Sequence, residues 1–428
     1  MRVLFWHARS GMRGMSRAVR PSLRDPRFGL LVAGEAVNSI GGWACAIVLW
    51  GFAAYRFNAS PSAVSVTVVC WAAPPALLSP MMGVYIDRLG AKRTLVAGYL
   101  AAAAGALGMV AAGSLVALDI AALAYGAARS LAGPAAAALP PRIVAADDLL
   151  PANGLLGAAA SAGQVVGPLA ASTAMALSGF QAAFILDAAS YLVGVAVVAP
   201  LPLLPAASVA PAKTRDRSGW RGELRAGLAL VTRDRRLRLV LMLSGAVTVT
   251  SAAFLVVEPL YARHVLHRPP SQFALFEAAA GTGSILTGLV LARIRARRDV
   301  SRVLCVGGLC YGLAACLFTG TTYVPVAYAG AFIWGVCGAV FGAVSLTALQ
   351  RCAPASAHGR VLGLTATIQS WVETLALPLG GVTLAVLGIR AGALALAAVA
   401  VVGGVIGLGL VLARGPDRPA DPANGRRR

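Results

Sequence analysis

Acidic side chains are scarce in this chain. Its 428 residues hold 16 Asp and Glu against 37 Lys and Arg, and charged residues of both signs make up 12%. A soluble domain carries roughly 25%, so about half the charge needed for an ordinary water-facing surface is missing. Nucleotide-binding loops are also missing. No Gly-x-x-x-x-Gly-Lys-Ser/Thr string occurs, so ATP is not the motor. Neither His-Glu-x-x-His nor Gly-x-Ser-x-Gly is present, and the two hydrolase signatures they mark are absent with them. The seven cysteines (Cys45, Cys70, Cys305, Cys310, Cys316, Cys337 and Cys352) are odd in number, sit mostly in or beside apolar runs, and show no Cys-x-x-Cys or metal-ligand spacing. They read as free, small hydrophobes. No metal and no cofactor is expected, and the chain is not expected to be an enzyme.

What the chain has in excess is apolar residue, 58% of the total, with a mean hydropathy of +0.76. Runs near 20 residues recur from end to end, each long enough to cross a hydrocarbon core of about 30 Å. With no water in the bilayer, the backbone of such runs must be helical. The sequence therefore specifies an all-α polytopic membrane protein. A formal net charge of +21 could suggest nucleic acid, but the bases lie in alternate loops rather than on one surface, so no nucleic-acid partner is expected.

The stretch around which the chain is organised is Gly83-Val84-Tyr85-Ile86-Asp87-Arg88-Leu89-Gly90-Ala91-Lys92-Arg93, a short charged loop between two apolar runs. Asp87 can face the N-terminus of a neighbouring helix, where partial positive charge collects. Gly83 permits close approach and Gly90 a tight turn. Lys92 and Arg93 suit the headgroup region on the cytoplasmic side. The spacing Gly-x-x-x-Asp-Arg-x-Gly-x-Lys-Arg resembles the loop between helices two and three of the major facilitator superfamily. That resemblance implies twelve transmembrane helices in two pseudo-symmetric six-helix bundles. It also implies that Gly83, Asp87, Arg88, Gly90, Lys92 and Arg93 form a cytoplasmic latch between two transporter conformations.

The pattern divides the chain into a basic cytoplasmic arm (1–28), a first six-helix bundle (29–202), a linker (203–238), a second bundle (239–413) and a tail (414–428). The arm has no signal-peptide apolar region or cleavage site. In the linker, Trp220, Leu224 and Leu228 share one helical face, which reads as an amphipathic surface helix. With the N-terminus in the cytoplasm, the arm, even-numbered loops and tail hold all but five of the 37 Lys and Arg. The exceptions are Arg56, Arg263, Arg268 and Arg390 in odd-numbered loops and Arg129 inside a span. This is the positive-inside bias, and it puts both termini inside a plasma membrane. A slide of 205 residues sets Gly83 on Gly288, Arg88 on Arg293, Lys92 on Arg297 and Arg93 on Arg298, with Ala292 where Asp87 stands in the first copy.

Several residues inside spans are candidates for the work. Arg129-Ser-Leu-Ala-Gly133 in span four resembles the superfamily's Arg-x-x-Gln-Gly pattern, with Ala132 in place of Gln. The resemblance implies a link to proton coupling. Gly163-Gln-Val-Val-Gly167-Pro168 in span five resembles the start of the Gly-x-x-x-Gly-Pro-x-x-Gly-Gly pattern of the drug:proton antiporter branch, whose last two glycines are not kept here. Small residues four apart let helices touch closely, so Gly163 and Gly167 are expected at a helix contact, with Pro168 as a kink.

Intramembrane acids are costly and are functional by default. Glu35 lies about 10 Å into span one with Asn38 one turn along. Asp187 lies in span six. Glu373 lies mid-span in eleven beside Trp371 and Gln369 and is expected in a cavity. Glu258 and Glu277 lie close to span ends and are expected at the interface. Trp43, Trp50, Trp71, Trp334 and Trp371 are potential aromatic walls. The expected function is proton-coupled export of small molecules such as drugs, antibiotics or siderophores. The expected partners are that substrate, protons and the lipid bilayer, and the chain is expected to be monomeric. An uptake symporter, or a sensor or scaffold that transports nothing, remains open.

Overall fold

Proline and a short polar cap set where the first helices start. Asp25 accepts from the Arg27 amide at 2.8 Å and Pro26 follows it. Ser60 accepts from the Ala63 amide at 3.3 Å and Pro61 follows. In each case the proline occupies a position whose N–H would be unpaired in any helix. In the computed structural model, residues 25–140, 143–144, 149–200, 235–291, 300–352 and 358–413 are described.

Among them are twelve helices long and apolar enough to cross a membrane. They are α1 (Pro26–Arg56), α2 (Pro61–Leu89), α3 (Ala91–Val110), α4 (Leu115–Ala137), α5 (Leu149–Ser178), α6 (Phe180–Val198), α7 (Arg235–His264), α8 (Pro270–Leu291), α9 (Val300–Gly320), α10 (Val324–Cys352), α11 (His358–Leu387) and α12 (Ile389–Leu412). The expected arm before residue 25, the linker helix and the tail lie outside the described residues. So do Ala292, Arg293, Arg297 and Arg298 of the second motif copy.

The helix contacts repeat when six is added to each number. In the first half α1 packs on α5 and α6, α2 on α4, and α3 on α4 and α6. In the second, α7 packs on α11 and α12, α8 on α10, and α9 on α10 and α12. The two principal contacts between halves, α2 with α11 and α5 with α8, are related by the same shift. Even the corners match. Gly179 alone joins α5 to α6 and Gly388 alone joins α11 to α12, both at φ +81°, a region open to glycine and strained for other residues.

The Gly83–Arg93 stretch, expected as a loop, is almost wholly helical. Helix α2 runs through Asp87 to Leu89, Gly90 alone turns the chain at φ +83°, and α3 begins at Ala91. One glycine suffices because its carbonyl caps α3 by accepting from the Thr94 amide at 3.1 Å and the Thr94 hydroxyl at 3.0 Å. The side chains of Asp87 and Arg88 lie outside the described residues. Lys92 and Arg93 occupy the first turn of α3.

The ends of the helices define two faces. The near face carries Pro26, Val198, Arg235 and Leu412, and the far face carries the turns at 57–60 and 265–269. The halves are tied at the far face. The Tyr55 hydroxyl donates to the Arg268 carbonyl at 2.9 Å, the Arg263 guanidinium donates to the Ala54 carbonyl, and the Ser65 hydroxyl donates to the Leu377 carbonyl at 2.7 Å. Gly51 meets Phe273 there as well.

Helix α10 crosses α8 so closely at Gly335 that a Cβ there would stand 1.9 Å from the Ala280 carbonyl oxygen, whereas one at Gly342 on the same helix would meet nothing within 4 Å. Gly335→Ala is therefore expected to destabilise the protein by about 1–3 kcal/mol through overpacking. Gly342→Ala is expected to be neutral or to stabilise by about 0.5–1 kcal/mol, the helical preference of Ala over Gly. Thermal unfolding of the detergent-solubilised variants reads both.

Candidate functional site

A cavity of about 810 Å³ lies in the first half. It is lined by the near-face portion of each helix: Leu31 to Ala46 of α1, Trp71 and Pro75 of α2, Tyr99 of α3, Arg129 to Ala137 of α4, Leu156 to Ala160 of α5, and Tyr191 of α6. Three candidates from two separate sequence patterns, the pair Glu35 and Asn38 and the lone Arg129, share this lining. Helix α1 brings the first two together because they stand three residues apart on one face. Helix α4 supplies the arginine, whose guanidinium carbon sits 4.7 Å from the centroid of the Trp71 ring and 5.9 Å from that of Tyr125. Cation–π contact of this kind holds a guanidinium without neutralising it.

Asn38 is the least satisfied group of the lining. It adjoins Tyr99 and the backbone of Gly194, and neither its Oδ1 nor its Nδ2 has a hydrogen-bond partner within the protein. A buried amide without partners is costly. The Trp71 indole N–H beside the same cavity is in the same condition. The lining residues thus include an amide and an indole N–H without partners within the protein, a cation and a carboxyl, set among aromatic rings.

Asp187 lies behind this wall rather than in it. It is wholly buried, and its Oδ2 accepts from the Tyr125 hydroxyl at 2.8 Å. The Tyr125 and Tyr191 hydroxyls are 3.3 Å apart, and the Ser190 hydroxyl donates to the Asp187 carbonyl at 2.8 Å. Oδ1 has no partner, and Cys45 lies beside the carboxylate. Tyr125 therefore connects the two charges: its ring faces Arg129 and its hydroxyl holds Asp187. Gly41 makes this possible, since a Cβ there would stand 2.4 Å from the Ser190 hydroxyl and 3.0 Å from Asp187 Oδ1.

The span-five glycines sit at the α1–α5 contact. A Cβ at Gly163 would fall 2.0 Å from the Ser39 hydroxyl and one at Gly167 would fall 2.5 Å from the Trp43 Cβ. Ser39 in turn donates to the Ala160 carbonyl at 2.7 Å. Pro168 lies within α5.

Other expected placements change. Glu373 is not in the cavity lining. It is exposed on the face of α11 that also carries Leu377, Gly380 and Leu384, one turn nearer the near face than the contacts Leu377 and Gly380 make with α2 and α7. Trp371, 56% exposed, points from the opposite side of that helix and is not among the residues that line this cavity. Two residues from 373, the roughly 100° step per residue carries a side chain almost to the other face. Trp50 is core, edge-on to Trp71 at 6.1 Å, and Trp334 stacks on Phe254 at 5.4 Å. Trp43 and Trp71 line the cavity.

Glu258, expected at the interface, is only 2% exposed, and Glu277 of α8 lies within hydrogen-bond reach of it. The error has a physical source. Distance from a span end measures depth only if the chain beyond that end is in water, and here the far-face ties and turns cover it. The signal that could have found Glu258 is Pro259, which sits inside a helix continuing to His264.

The sequence profile described as Major Facilitator Superfamily matches residues 31–372 and also 240–428. A relative in Bacillus subtilis (strain 168), an uncharacterized MFS-type transporter named YfiS, is 23% identical over 367 residues, 82% of this chain and 85% of its own. Among solved structures, the nucleoside transporter NupG superposes with a TM-score of 0.70 at 13% identity, covering 90% of this chain and 99% of that one. A bacterial homologue of the human lysosomal transporter Spinster, inward-facing and unoccupied, superposes with a TM-score of 0.70 at 14% identity, covering 92% and 96%. A peptide transporter, POT, in complex with sulfate, gives 0.68 at 15% identity, covering 91% and 95%. These likenesses carry the fold.

Removing the hydroxyl that holds Asp187 tests the network. Tyr125→Phe leaves Oδ2 without its donor in a site closed to water and is expected to destabilise by about 1–3 kcal/mol. A thermal midpoint equal to that of the unaltered protein would show that the contact contributes nothing.

Proposed function

This chain belongs to the major facilitator superfamily, and from that premise we propose that it is a secondary transporter that exports small molecules in exchange for protons. The observation that carries the reading is the convergence of Glu35, Asn38 and Arg129 on one aromatic-walled cavity. A bundle helix gains nothing by directing an acid, an unpaired amide and a guanidinium into the same hollow unless something polar passes there. The substrate that fits has apolar bulk for Trp43, Trp71 and Tyr99, and a hydrogen-bonding or cationic group for Asn38 and Glu35.

The cycle we infer is alternating access between the two halves. The near-face cavity takes substrate from the cytoplasm, with both termini on that side of the plasma membrane. The chain works as a monomer. An intramembrane acid then exchanges substrate for a proton. Asp187 is suited to this role: Tyr125 ties it to Arg129, so a change of charge at Asp187 alters the field at the cavity wall. Asp87, at the end of α2, latches the outward-facing state. The motif at Gly163 and Gly167 supports export through its resemblance to the pattern of the drug:proton antiporter branch; in the structure it packs α5 on the stretch of α1 that carries Ser39 and Trp43. Ala171 and Ser172 stand where the exporter pattern has glycine, and that departure allows the second reading, an uptake symporter on the same fold.

Everted membrane vesicles with an imposed proton gradient separate these. With a panel of toxic compounds, including fluorescent lipophilic cations, as probes, accumulation inside the vesicles is expected to collapse on adding an uncoupler. Accumulation that survives the uncoupler removes proton drive, and gradient-driven loss from the vesicles favours uptake. Asp87→Asn is expected to reach the membrane and to transport about 5–150-fold more slowly, the range of a coupling worth about 1–3 kcal/mol. Unchanged initial rates in that variant would remove the latch.

A further inference from the structure

The second half contains a polar site that the proposed cycle does not use. Glu258 of α7 stands six residues before the helix end at His264, and Glu277 of α8 stands seven residues after Pro270. Both are therefore about 10 Å below the far face. Their carboxyl groups are within hydrogen-bond reach of each other. Glu258 is buried, Glu277 is half-buried, and Glu258 Oε2 has no donor. One turn toward the far face, Tyr261 and Phe273 are fully buried above them, and the Tyr261 hydroxyl donates to the Phe318 carbonyl at 3.0 Å.

Among the described residues, no base reaches the pair. The titratable group facing it is Tyr311 of α9, which adjoins Ser251 of α7 and Trp334 of α10. The nearby cations are engaged at the far face: Arg263 donates to the Ala54 carbonyl and Arg390 to the Gly320 carbonyl. From α1, the Tyr55 hydroxyl is spent on the Arg268 carbonyl. On α11, Glu373 is exposed farther toward the near face. Two negative charges in such surroundings repel one another with little screening. One proton placed between them replaces the repulsion with a charge-assisted O–H···O bond.

We propose that the Glu258–Glu277 pair is a proton-binding site of the second half, loaded from the far side and sealed as the far face closes over it. The far-face ties then form over a carboxyl pair that holds a proton, and opening that face returns the pair to water, where the proton leaves. Closure of the far face and proton uptake are one event. This rests on the alternating-access part of the reading above. It depends neither on export nor on which acid of the first half takes part.

The full chain in lipid nanodiscs tests it by two measurements. Infrared spectroscopy of the unaltered protein near neutral pH is expected to show a protonated carboxyl band that Glu258→Gln and Glu277→Gln each diminish. Spin labels, introduced through an unnatural amino acid at the exposed far-face positions Ala111 and Thr322, report the opening of that face. In the unaltered chain the distance between them is expected to lengthen as the pH rises from mildly acidic to mildly alkaline. The Glu258→Gln, Glu277→Gln double variant is expected to stay closed throughout. A label distance that ignores pH in the unaltered chain overturns the proposal, and this arm needs no glutamine variant to fold. So does a carboxyl band that both glutamine variants retain. Closure driven by sodium at fixed pH would identify a metal-cation site and overturn it as well. If the vesicle assay fails while both of these measurements succeed, the export reading falls and the proton site stands.

Discussion

Every feature of this molecule answers to one constraint: a solvent that offers no hydrogen bonds and does not screen charge. The backbone meets it with twelve helices joined by corners as short as one residue. The side chains meet it by exclusion, with Asp and Glu reduced to 16 in 428 residues. The few polar groups left inside the spans are therefore informative. Some are bonded, as the Tyr125 hydroxyl is to Asp187, and others have no partner within the protein, as Asn38 has none beside the cavity. In a soluble protein the same residues would be lost among dozens of satisfied surface groups.

The two halves share a contact plan but not a chemistry. The pairing of helices repeats under a shift of six, down to the glycine corners at Gly179 and Gly388. Yet the first half holds the cavity, the arginine and the tyrosine-bound aspartate, and the second holds two facing carboxyls beneath an aromatic cover. Packing is set by small residues at close crossings and survives a change of polar cargo. The polar residues are free to diverge once the scaffold is fixed.

Much of this was legible in the chain as text. The fold class and the number of spans follow from run length and from the arginine-weighted loops, because both reflect transfer into lipid residue by residue. The neighbourhood of Glu35 and Asn38 followed from helical spacing. Tertiary closure was not legible. Nothing local in the sequence says that the far face folds over Glu258, that Asp187 sits behind the wall instead of in it, or that Tyr125 joins it to Arg129. These depend on which helices become neighbours, and sites 62 residues apart meet only because α4 and α6 lie on the same side of the bundle. For Glu373 depth along a helix was readable, but the groups it would meet across the bundle were not.

The single-glycine corners have a consequence for biogenesis. At the far face, a link of one residue between α5 and α6, and again between α11 and α12, is too short to let the first helix settle across the bilayer while the second waits outside in water. Each pair must enter the membrane as a preformed hairpin, with its corner crossing the apolar layer in one passage. The order in which the ribosome delivers the helices is thereby partly overridden, and the unit of insertion in these two places is a pair.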